Sequence, residues 1–371
     1  MPLVPPYIVM LEAYKAGKPI AEVQKEFGLS RVIKLASNEN PLGPSPKAIE
    51  EMKKVLMGLH YYPNGGLDLR EILAERFTLQ TRNVICGSGS ESILATIVRT
   101  FFCDDDEAIT TEAPFIGFRV LINSRGIKTT YVPYKDYRYD LPAIADAINE
   151  KTKLIYLANP NNPTGTFFTQ REFEEFYTHV SERVLIILDE AYFEYARFYP
   201  HYPDSMKYRY DNVITLRTFS KCYGLAGVRI GYGFAHEELI ANLMKVKLPF
   251  EPSSLAQAAA IGALNDEEFL LRTLEVNENG LLYLQSALVA IGVRVVPSVA
   301  NFLLLEFETI SAANMICMNL LQRGVIVRPL SAFGLPHCIR VSTGTMEENM
   351  IFIETLESIL KNKLHETVED I

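Results

Sequence analysis

The sequence predicts an α/β protein in which a mostly parallel central sheet is flanked by helices and is followed by a smaller α/β domain. Three observations predict this fold class. Seven short apolar runs alternate with helical stretches between residues 84 and 234, as in βα repeats. The runs are continuously apolar, which is typical of strands buried on both faces of a parallel sheet. At 371 residues the chain is longer than one core usually supports, and its pattern changes near residue 267.

The chain divides into three predicted parts. An arm at residues 1–38 would pack on the small domain, and it holds a short amphipathic helix and a strand at residues 32–36. A large cofactor-binding domain at residues 39–266 would carry the main sheet. A small α/β domain at residues 267–371 would carry a second sheet.

Two helices are predicted at the start of the large domain. Ser45 is a natural N-cap and Pro46 suits the first helical position, so a helix begins there and runs to about Leu59. An aromatic loop at residues 60–66 follows it. The spacing of apolar residues then predicts a helix over residues 67–79.

Strands and helices alternate along the rest of the chain. The predicted strands cover residues 84–86, 108–111, 129–132, 154–158, 184–188, 213–216, 229–234, 294–296, 302–307, 325–328 and 339–342. The predicted helices cover residues 92–102, 115–123, 141–148, 170–180 and 267–291. Ligands of open α/β sheets lie at the carboxyl ends of the strands, so chemistry is expected in the loops that follow them.

Composition and charge exclude several classes of function. A formal charge of −9 argues against nucleic acid or an anionic membrane as the partner, since both favour a basic surface. Five scattered cysteines without a Cys-x-x-Cys pair indicate neither a disulfide framework nor a zinc site. The proline-broken start of the chain is not typical of a signal peptide, and no apolar run is long enough to span a membrane. We therefore expect a cytoplasmic protein without a bound metal.

The loop after the strand at residues 213–216 places a lysine in an unusual setting. Lys221 follows two hydroxyl residues, Thr218 and Ser220, and Arg229 comes eight positions after it. A strand that delivers an amine to a loop, with hydroxyls and a guanidinium grouped as if for a phosphate, suggests pyridoxal 5'-phosphate held as an imine on the lysine. The alternative is an ordinary loop, because a Ser-Lys pair before a glycine is common.

Two further loops offer groups that suit a phosphorylated cofactor. The glycine-rich turn at residues 87–92 joins a strand to a helix, so its backbone amides and the helix N-terminus favour an anion. Ser88 and Glu91 also fit a plain capping box, which is the alternative. Asn162 lies between two prolines after the strand 154–158, where its amide can bond a phenolic oxygen, and a mere tight turn is the other interpretation.

A carboxylate ends the apolar strand at residues 184–188. Asp189 is costly at the end of a buried strand unless it is paired, and a pyridine nitrogen that it keeps protonated would be a suitable partner. Tyr192 follows three residues later and is placed to reach the ring hydroxyl beside Asn162. The alternative is a helix cap followed by a core tyrosine.

These four loops, in this order, resemble those of the fold type I pyridoxal-phosphate aminotransferases and, within them, the histidinol-phosphate aminotransferases. The likeness covers nearly the whole chain. It includes the segments 37–45, 62–63, 161–165, 217–232 and 327–329. The resemblance implies an enzyme of fold type I that binds pyridoxal 5'-phosphate and forms a homodimer.

The resemblance also implies a role for each matching residue. Lys221 would form the imine, Asp189 would pair with the pyridine nitrogen, and Phe115 would lie against the ring face. Asn162 and Tyr192 would hold the ring oxygen. The phosphate would be held by the backbone of Ser90 and Glu91, by Thr218, Ser220 and Arg229, and by Tyr62 of a second subunit.

The implied reaction is a transamination in histidine biosynthesis. L-Histidinol phosphate and 2-oxoglutarate would be interconverted with imidazole-acetol phosphate and L-glutamate in two half-reactions at one site. Arg340 would grip a substrate carboxylate as a fork. Arg328, Tyr7 and Asn301 would line the pocket for the substrate phosphate. An aromatic amino-acid aminotransferase, a threonine-phosphate decarboxylase and a cofactor-binding module without catalysis stay open as alternatives.

The sequence departs from the family pattern at three places. In the glycine-rich turn, Ser88, Glu91 and Ser92 stand where Asn, Asp and Glu are usual. Phe115 replaces a tyrosine, and Cys222 replaces a small residue beside the lysine. Backbone contacts need no particular side chain, so these departures bear on substrate preference more than on the cofactor.

Overall fold

The computed structural model describes residues 3–11, 17–208 and 210–369, so residues 12–16 of the predicted arm lie outside it. Its strands are β1 (Ile33–Lys34), β2 (Val84–Gly87), β3 (Glu107–Thr111), β4 (Lys128–Val132), β5 (Thr152–Ala158), β6 (Leu185–Asp189), β7 (Val213–Thr218), β8 (Gly231–Phe234), β9 (Arg294–Val296), β10 (Phe302–Glu306), β11 (Val325–Ile326), β12 (Arg328–Pro329) and β13 (Cys338–Ser342). Its α-helices are α1 (Pro6–Val9), α2 (Ile20–Phe27), α3 (Pro46–Val55), α4 (Leu67–Arg76), α5 (Ser90–Phe101), α6 (Ile116–Ser124), α7 (Leu141–Asp146), α8 (Gln170–Tyr177), α9 (Phe193–Ala196), α10 (Glu237–Val246), α11 (Ser254–Leu264), α12 (Glu267–Ala290), α13 (Ile310–Gln322) and α14 (Met346–Glu369).

The main sheet has the strand order β2-β8-β7-β6-β5-β3-β4. Strand β8 runs antiparallel to both of its neighbours, and the other pairings are parallel. The predicted fold class is therefore confirmed. Ala158 of β5 lies opposite Asp189 of β6, and Asp189 lies opposite Leu216 of β7. The carboxyl ends of these three strands consequently meet at one edge of the sheet.

Helices cover both faces of the main sheet. On one face, Leu94 of α5, Phe118 of α6 and Leu243 of α10 are fully buried. On the other face, Ile144 of α7 and Phe173 of α8 are fully buried. Apolar burial on both sides holds the strands in place. The loops at their carboxyl ends therefore rest on a rigid base.

The second sheet has the order β12-β13-β10-β9 and is antiparallel throughout. A single strand at residues 325–328 was expected from the sequence, but the segment forms two strands. Strand β11 pairs with β1 of the arm, whereas β12 pairs with β13. The chain changes its hydrogen-bonding partner at Val327, so one apolar run serves two sheets. The division into an arm, a large domain and a small domain stays a prediction.

The helix predicted from Pro46 begins where expected but is shorter. The Ser45 hydroxyl accepts a hydrogen bond from the Ala48 backbone N–H at 3.3 Å, which caps the helix. The same hydroxyl donates to Asp266 Oδ2 at 2.6 Å, in front of α12. The α-helix ends at Val55 and continues as a 3₁₀ turn at Leu56–Gly58. Three other predicted helices, at 67–79, 141–148 and 170–180, also end two or three residues early.

The helices and the possible metal ligands of the described part of the chain bear on its partners. In that part, every helix is too short or too polar to cross a bilayer. Residues 3–11, 17–208 and 210–369 also contain no group of three or more histidine, cysteine, aspartate or glutamate side chains that is arranged to hold a metal ion.

Candidate active site

A cavity opens at the edge of the main sheet where the parallel strands end. It collects residues from loops that are far apart in the sequence. Its lining residues are Gly89, Ser90, Glu91, Phe115, Tyr156, Ala158, Pro160, Asn162, Asp189, Ala191, Tyr192, Thr218, Ser220, Lys221 and Arg229. Every residue that the sequence suggested for a cofactor is among them except Tyr62. The register of the strands explains this convergence, because parallel strands present their following loops at one edge.

Asp189 is the buried acid of the cavity. Its side chain is 4% exposed, and its Oδ2 accepts a hydrogen bond from the Tyr156 hydroxyl at 2.7 Å. Among the described residues, its Oδ1 has no hydrogen-bond partner. Burial raises the pKa of Asp189 to about 6, and the bond from Tyr156 opposes this rise. A buried carboxylate oxygen without a partner is costly, so a donor from a ligand in the cavity would stabilise it.

Lys221 faces the same cavity and is partly buried. Its Nζ donates to the Ser37 carbonyl at 3.3 Å and lies 5.8 Å from the centre of the Tyr192 ring. Burial lowers the pKa of Lys221 to about 8, and the positive charge of Arg340 acts in the same direction. An amine with this pKa is partly neutral near physiological pH, which makes it a usable nucleophile and base.

The N-terminus of α5 forms an anion site on one side of the cavity. Gly89 is the N-cap with φ 88°, and no side chain caps the helix. The capping box of Ser88 and Glu91, which the sequence left as an alternative, is therefore not formed. Backbone N–H groups in the first turn are left for an anion, which the helix dipole favours.

Arg229 covers this helix end from the other side. A Cβ on Gly89 would lie 2.7 Å from Arg229 Nη2, so only glycine allows the guanidinium to come this close. Arg229 Nη1 also donates to Ser220 Oγ at 3.5 Å. The Thr218 hydroxyl accepts from the Ser220 backbone N–H at 3.1 Å. A guanidinium, two hydroxyls and a helix N-terminus thus surround one point of the cavity.

Asn162 and Tyr192 each have one oxygen that already accepts a hydrogen bond from another side chain. Asn162 Oδ1 accepts from Arg340 Nη1 at 2.5 Å, so the Asn162 amide N–H groups are its remaining donors. The Tyr192 oxygen accepts from Asn38 Nδ2 at 2.8 Å, which leaves the Tyr192 O–H as a donor. Asn162 and Tyr192 can therefore both donate to an oxygen atom in the cavity.

The alternative that Asp189 caps the helix after it is not observed, because α9 has no side-chain cap.

The two arginines suggested for substrate binding lie side by side. Arg340 of β13 is opposite Arg328 of β12 in the second sheet. Arg340 Nη2 donates to the Ala36 carbonyl at 2.9 Å, and Arg328 Nε donates to the same carbonyl at 3.4 Å. Arg340 is 4% exposed, and its guanidinium carbon lies 5.2 Å from the centre of the Phe302 ring. The structure therefore brings both cations to the Ala36 carbonyl, and Arg340 also contacts Asn162 of the cavity wall.

Three predicted site residues lie elsewhere in this protomer. Asn301 Nδ2 donates to the Asn38 carbonyl at 3.1 Å, so Asn301 stands behind the cavity and supports Asn38. Tyr7 contacts Gly126, after the C-terminal end of α6, whereas the start of this nine-residue helix faces the cavity. That helix is about 14 Å long, so Tyr7 is distant from the cavity. Tyr62 is 81% exposed and stacks on Phe250.

Two residues of the site were missed from the sequence. Tyr156 stands in a strand of apolar residues beside the strand that ends in Asp189. A buried tyrosine hydroxyl needs a partner, which was a usable signal. Asn38 has φ 55°, a conformation that asparagine tolerates better than most residues, and it lies in the loop four positions after the end of β1. Its side chain joins Tyr192 to Ser342 of β13.

Known proteins are similar to this chain in sequence. A model of the family "Aminotransferase class I and II" matches residues 30–356. The histidinol-phosphate aminotransferase 2 of Carboxydothermus hydrogenoformans is 41% identical over 354 residues, which are 95% of this chain and 97% of that protein. The histidinol-phosphate aminotransferase 1 of Nitrosococcus oceani is 42% identical over 354 residues and 95% of each chain.

A solved structure agrees with these sequence relatives. The histidinol-phosphate aminotransferase of Sinorhizobium meliloti in complex with pyridoxal-5'-phosphate superposes with a TM-score of 0.89, at 27% identity and over 98% of each chain. The family model covers well over half of the sequence, and the relatives match it nearly end to end. The chain therefore belongs to the class I and II aminotransferase family.

Proposed function

We propose that this protein is a pyridoxal 5'-phosphate-dependent transaminase that interconverts L-histidinol phosphate and 2-oxoglutarate with imidazole-acetol phosphate and L-glutamate, a step of histidine biosynthesis. The observation that carries the proposal is the cavity in which Lys221 and the unpartnered Oδ1 of Asp189 face the same space. The substrate assignment is supported by relatives at 41% and 42% identity, which are named histidinol-phosphate aminotransferases.

The cavity offers one group for each functional part of the cofactor. The unpartnered, buried Oδ1 of Asp189 suits a protonated pyridine nitrogen. The N-terminus of α5, where Gly89 admits the Arg229 guanidinium, suits a phosphate. The donors of Asn162 and Tyr192 suit the ring oxygen, and the amine of Lys221 suits the aldehyde. On these observations the residues fit pyridoxal 5'-phosphate.

We assign the cofactor contacts accordingly. Phe115, the N-cap of α6, would lie against the ring, where an aromatic side chain adds stacking area. The groups assigned to the phosphate are the backbone N–H groups of Ser90 and Glu91 and the side chains of Thr218, Ser220 and Arg229. When bound, pyridoxal 5'-phosphate supplies an electron-withdrawing ring that stabilises negative charge on the carbon that has lost its proton.

Lys221 moves a proton in the proposed reaction, and Asp189 holds another proton in place. Lys221, with a pKa of about 8, can take the proton from the amine-bearing carbon of the substrate and return it to the carbon on the other side of the amine nitrogen. Asp189 holds a proton at the pyridine nitrogen, because its free Oδ1 is a buried acceptor. Tyr192 and Asn162 donate to the ring oxygen and fix the orientation of the ring. Together these residues position the reacting carbon next to Lys221.

Arg340 and Arg328 form the proposed anion site for both substrates. Histidinol phosphate carries a phosphate but no carboxylate, whereas glutamate and 2-oxoglutarate carry two carboxylates. One site must therefore accept either anion in alternate half-reactions. Two guanidiniums that share the Ala36 carbonyl can both turn to a substrate oxygen, because a planar guanidinium binds carboxylate and phosphate as a fork.

We also propose that two copies of the chain form a dimer in which the partner's Tyr62 reaches the phosphate site. Tyr62 and Tyr61 are 81% and 71% exposed, and Met57 and Phe250 nearby are 89% and 51% exposed. Exposed aromatic and apolar side chains grouped in this way are typical of protein interfaces. The family likeness supports this assignment of Tyr62.

Two measurements test the proposed function. Borohydride reduction of the cofactor-bound protein should attach the cofactor to the peptide that contains Lys221, and a label on another peptide would refute the assignment. Single-turnover spectra should show conversion with L-histidinol phosphate and not with phenylalanine or threonine phosphate. Turnover of phenylalanine alone would indicate an aromatic aminotransferase, and release of carbon dioxide from threonine phosphate would indicate a decarboxylase.

A further inference from the structure

Tyr156 makes the one hydrogen bond that Asp189 Oδ2 receives from a side chain in the described part of the chain. The two residues lie on neighbouring parallel strands, with Asp189 opposite Ala158, two positions beyond Tyr156. A tyrosine side chain is long enough to reach this diagonal neighbour on the same face. The bond of 2.7 Å has the length of a good O–H to carboxylate contact.

The structure holds the Tyr156 ring firmly. Tyr156 is completely buried in β5, and its ring stacks on Phe118 with the centres 4.1 Å apart and the planes 7° apart. Burial raises the pKa of Tyr156 well above its ordinary value of 10. The hydroxyl therefore keeps its proton and stays a donor.

The bond has two consequences for Asp189. It occupies Oδ2, which leaves Oδ1 for a donor in the cavity. It also favours the ionised acid against burial, which otherwise raises the pKa of Asp189. The backbone N–H of Ala191 and the charge of Lys221 also lower the pKa of Asp189, whereas the charge of Glu91 of α5 raises it.

We propose that Tyr156 is a positioning residue of the transaminase, which acts through Asp189 by keeping this acid ionised and by holding its Oδ1 toward the pyridine nitrogen. The inference rests on the proposed function, since the ring nitrogen belongs to the proposed cofactor. The Tyr156 hydroxyl touches Asp189, and its contribution to the reaction passes through that carboxylate.

Tyr156→Phe tests the proposal because it removes the hydroxyl and keeps the stacked ring. The dissociation constant of pyridoxal 5'-phosphate should rise about tenfold or more, as expected for loss of a bond to a charged group. The pH midpoint of the visible absorbance of the bound cofactor should also rise, since a less protonated ring withdraws fewer electrons. Tyr177→Phe is the matched control, because it removes a hydroxyl that donates to Asn212 at 2.6 Å and lines no part of this cavity.

A double-mutant cycle with Asp189→Asn shows whether Tyr156 acts through the acid. In the Asp189→Asn background, Tyr156→Phe should change the dissociation constant by less than twofold. An equal loss in both backgrounds would overturn the proposal, because Tyr156 would then act directly on the cofactor or on the fold. If Asp189→Asn does not fold, as judged by circular dichroism, an unchanged pH midpoint in Tyr156→Phe overturns the proposal by itself. Failure of the proposed function is distinguishable, since the unmodified protein would then bind no cofactor or, with the cofactor bound, would not convert L-histidinol phosphate.

Discussion

At the scale of single residues, two buried acids five positions apart differ in whether a ligand can reach their unpartnered carboxylate oxygen. Asp189 Oδ1 faces the cavity, whereas Glu194 Oε2 is buried in α9 without a hydrogen-bond partner among the described residues. Glu190, between them, is paired with the buried Arg217 at 2.7 Å. A buried carboxylate oxygen without a donor can bind a ligand where it faces a cavity. Elsewhere in the fold it only lowers the stability of the protein.

Glu194 gives a prediction about pH and stability. Burial raises the pKa of Glu194 to about 7, against the attraction of Arg217. Between its ordinary pKa of 4.5 and this value the folded protein keeps a proton that the unfolded chain has lost. Stability therefore falls as the pH rises through this range, by about 3 kcal/mol at most. Glu194→Gln should remove this loss, so its thermal midpoint should exceed that of the unmodified protein by more at pH 8 than at pH 5.

The control for this prediction is Glu190→Gln. It breaks a buried ion pair with Arg217 and should destabilise the protein by about 3–5 kcal/mol. Equal midpoint differences for Glu194→Gln at the two pH values would show that Glu194 does not titrate in this range.

Arg340 gives a prediction about substrate recognition. Arg340→Lys keeps the charge but loses the fork geometry, so kcat/KM should fall about 10- to 100-fold for both glutamate and histidinol phosphate. Steady-state kinetics with each substrate provides the measurement. A loss confined to one substrate would contradict the shared anion site. Arg294→Lys is the matched control, because Arg294 pairs with Glu306 on the second sheet and is largely exposed.

At the scale of elements, the contact between β8 and α5 shapes the proposed phosphate site. A Cβ on Gly231, the first residue of β8, would lie 2.2 Å from the Ser90 backbone nitrogen. The strand therefore approaches the first turn of the helix as closely as a glycine permits. This approach places the helix N-terminus beside Arg229, which comes two residues before β8.

Gly231→Ala should push the N-terminus of α5 away from β8. Since the clash is with backbone atoms, we expect the dissociation constant of pyridoxal 5'-phosphate to rise at least tenfold, as measured by equilibrium titration. Gly227→Ala, in the preceding loop, is the matched control, because no atom lies within 4 Å of its added Cβ. Similar affinities for the two variants would show that the close approach is not required for binding.

At the scale of the whole molecule, the exposed surface around Tyr62 is predicted to lie in a dimer interface. A mixture of Lys221→Ala and Tyr62→Ala chains should then be more active than either variant alone. In a mixed dimer, the site with an intact Lys221 receives the partner's Tyr62 from the other chain. The measurement is transaminase activity after co-expression of the two variants, together with sedimentation to determine the oligomeric state. No gain in the mixture, with dimers formed, would contradict a contribution of Tyr62 across the interface.

Sequence pattern alone predicted the order of the main-sheet strands along the chain and the loops that follow them. Lys221, Asp189 and Asn162 could be placed at strand ends because apolar runs of strand length stop immediately before their loops. The βα alternation then predicted that these loops meet at one edge of the sheet. Local pattern was sufficient here, because each inference needed only the position of a residue relative to its own strand.

The distant side chains that complete the candidate site could be identified only in the folded chain. Tyr156 reaches Asp189, and Asn38 reaches Tyr192, across 33 and 154 positions of sequence. The sequence also did not predict that Asn301 lies behind Asn38, or that residues 325–329 are divided between two sheets. Apolar periodicity indicates which face of an element is buried, but contacts between elements depend on register, twist and the packing of distant segments. Those quantities are settled only when the whole chain is folded.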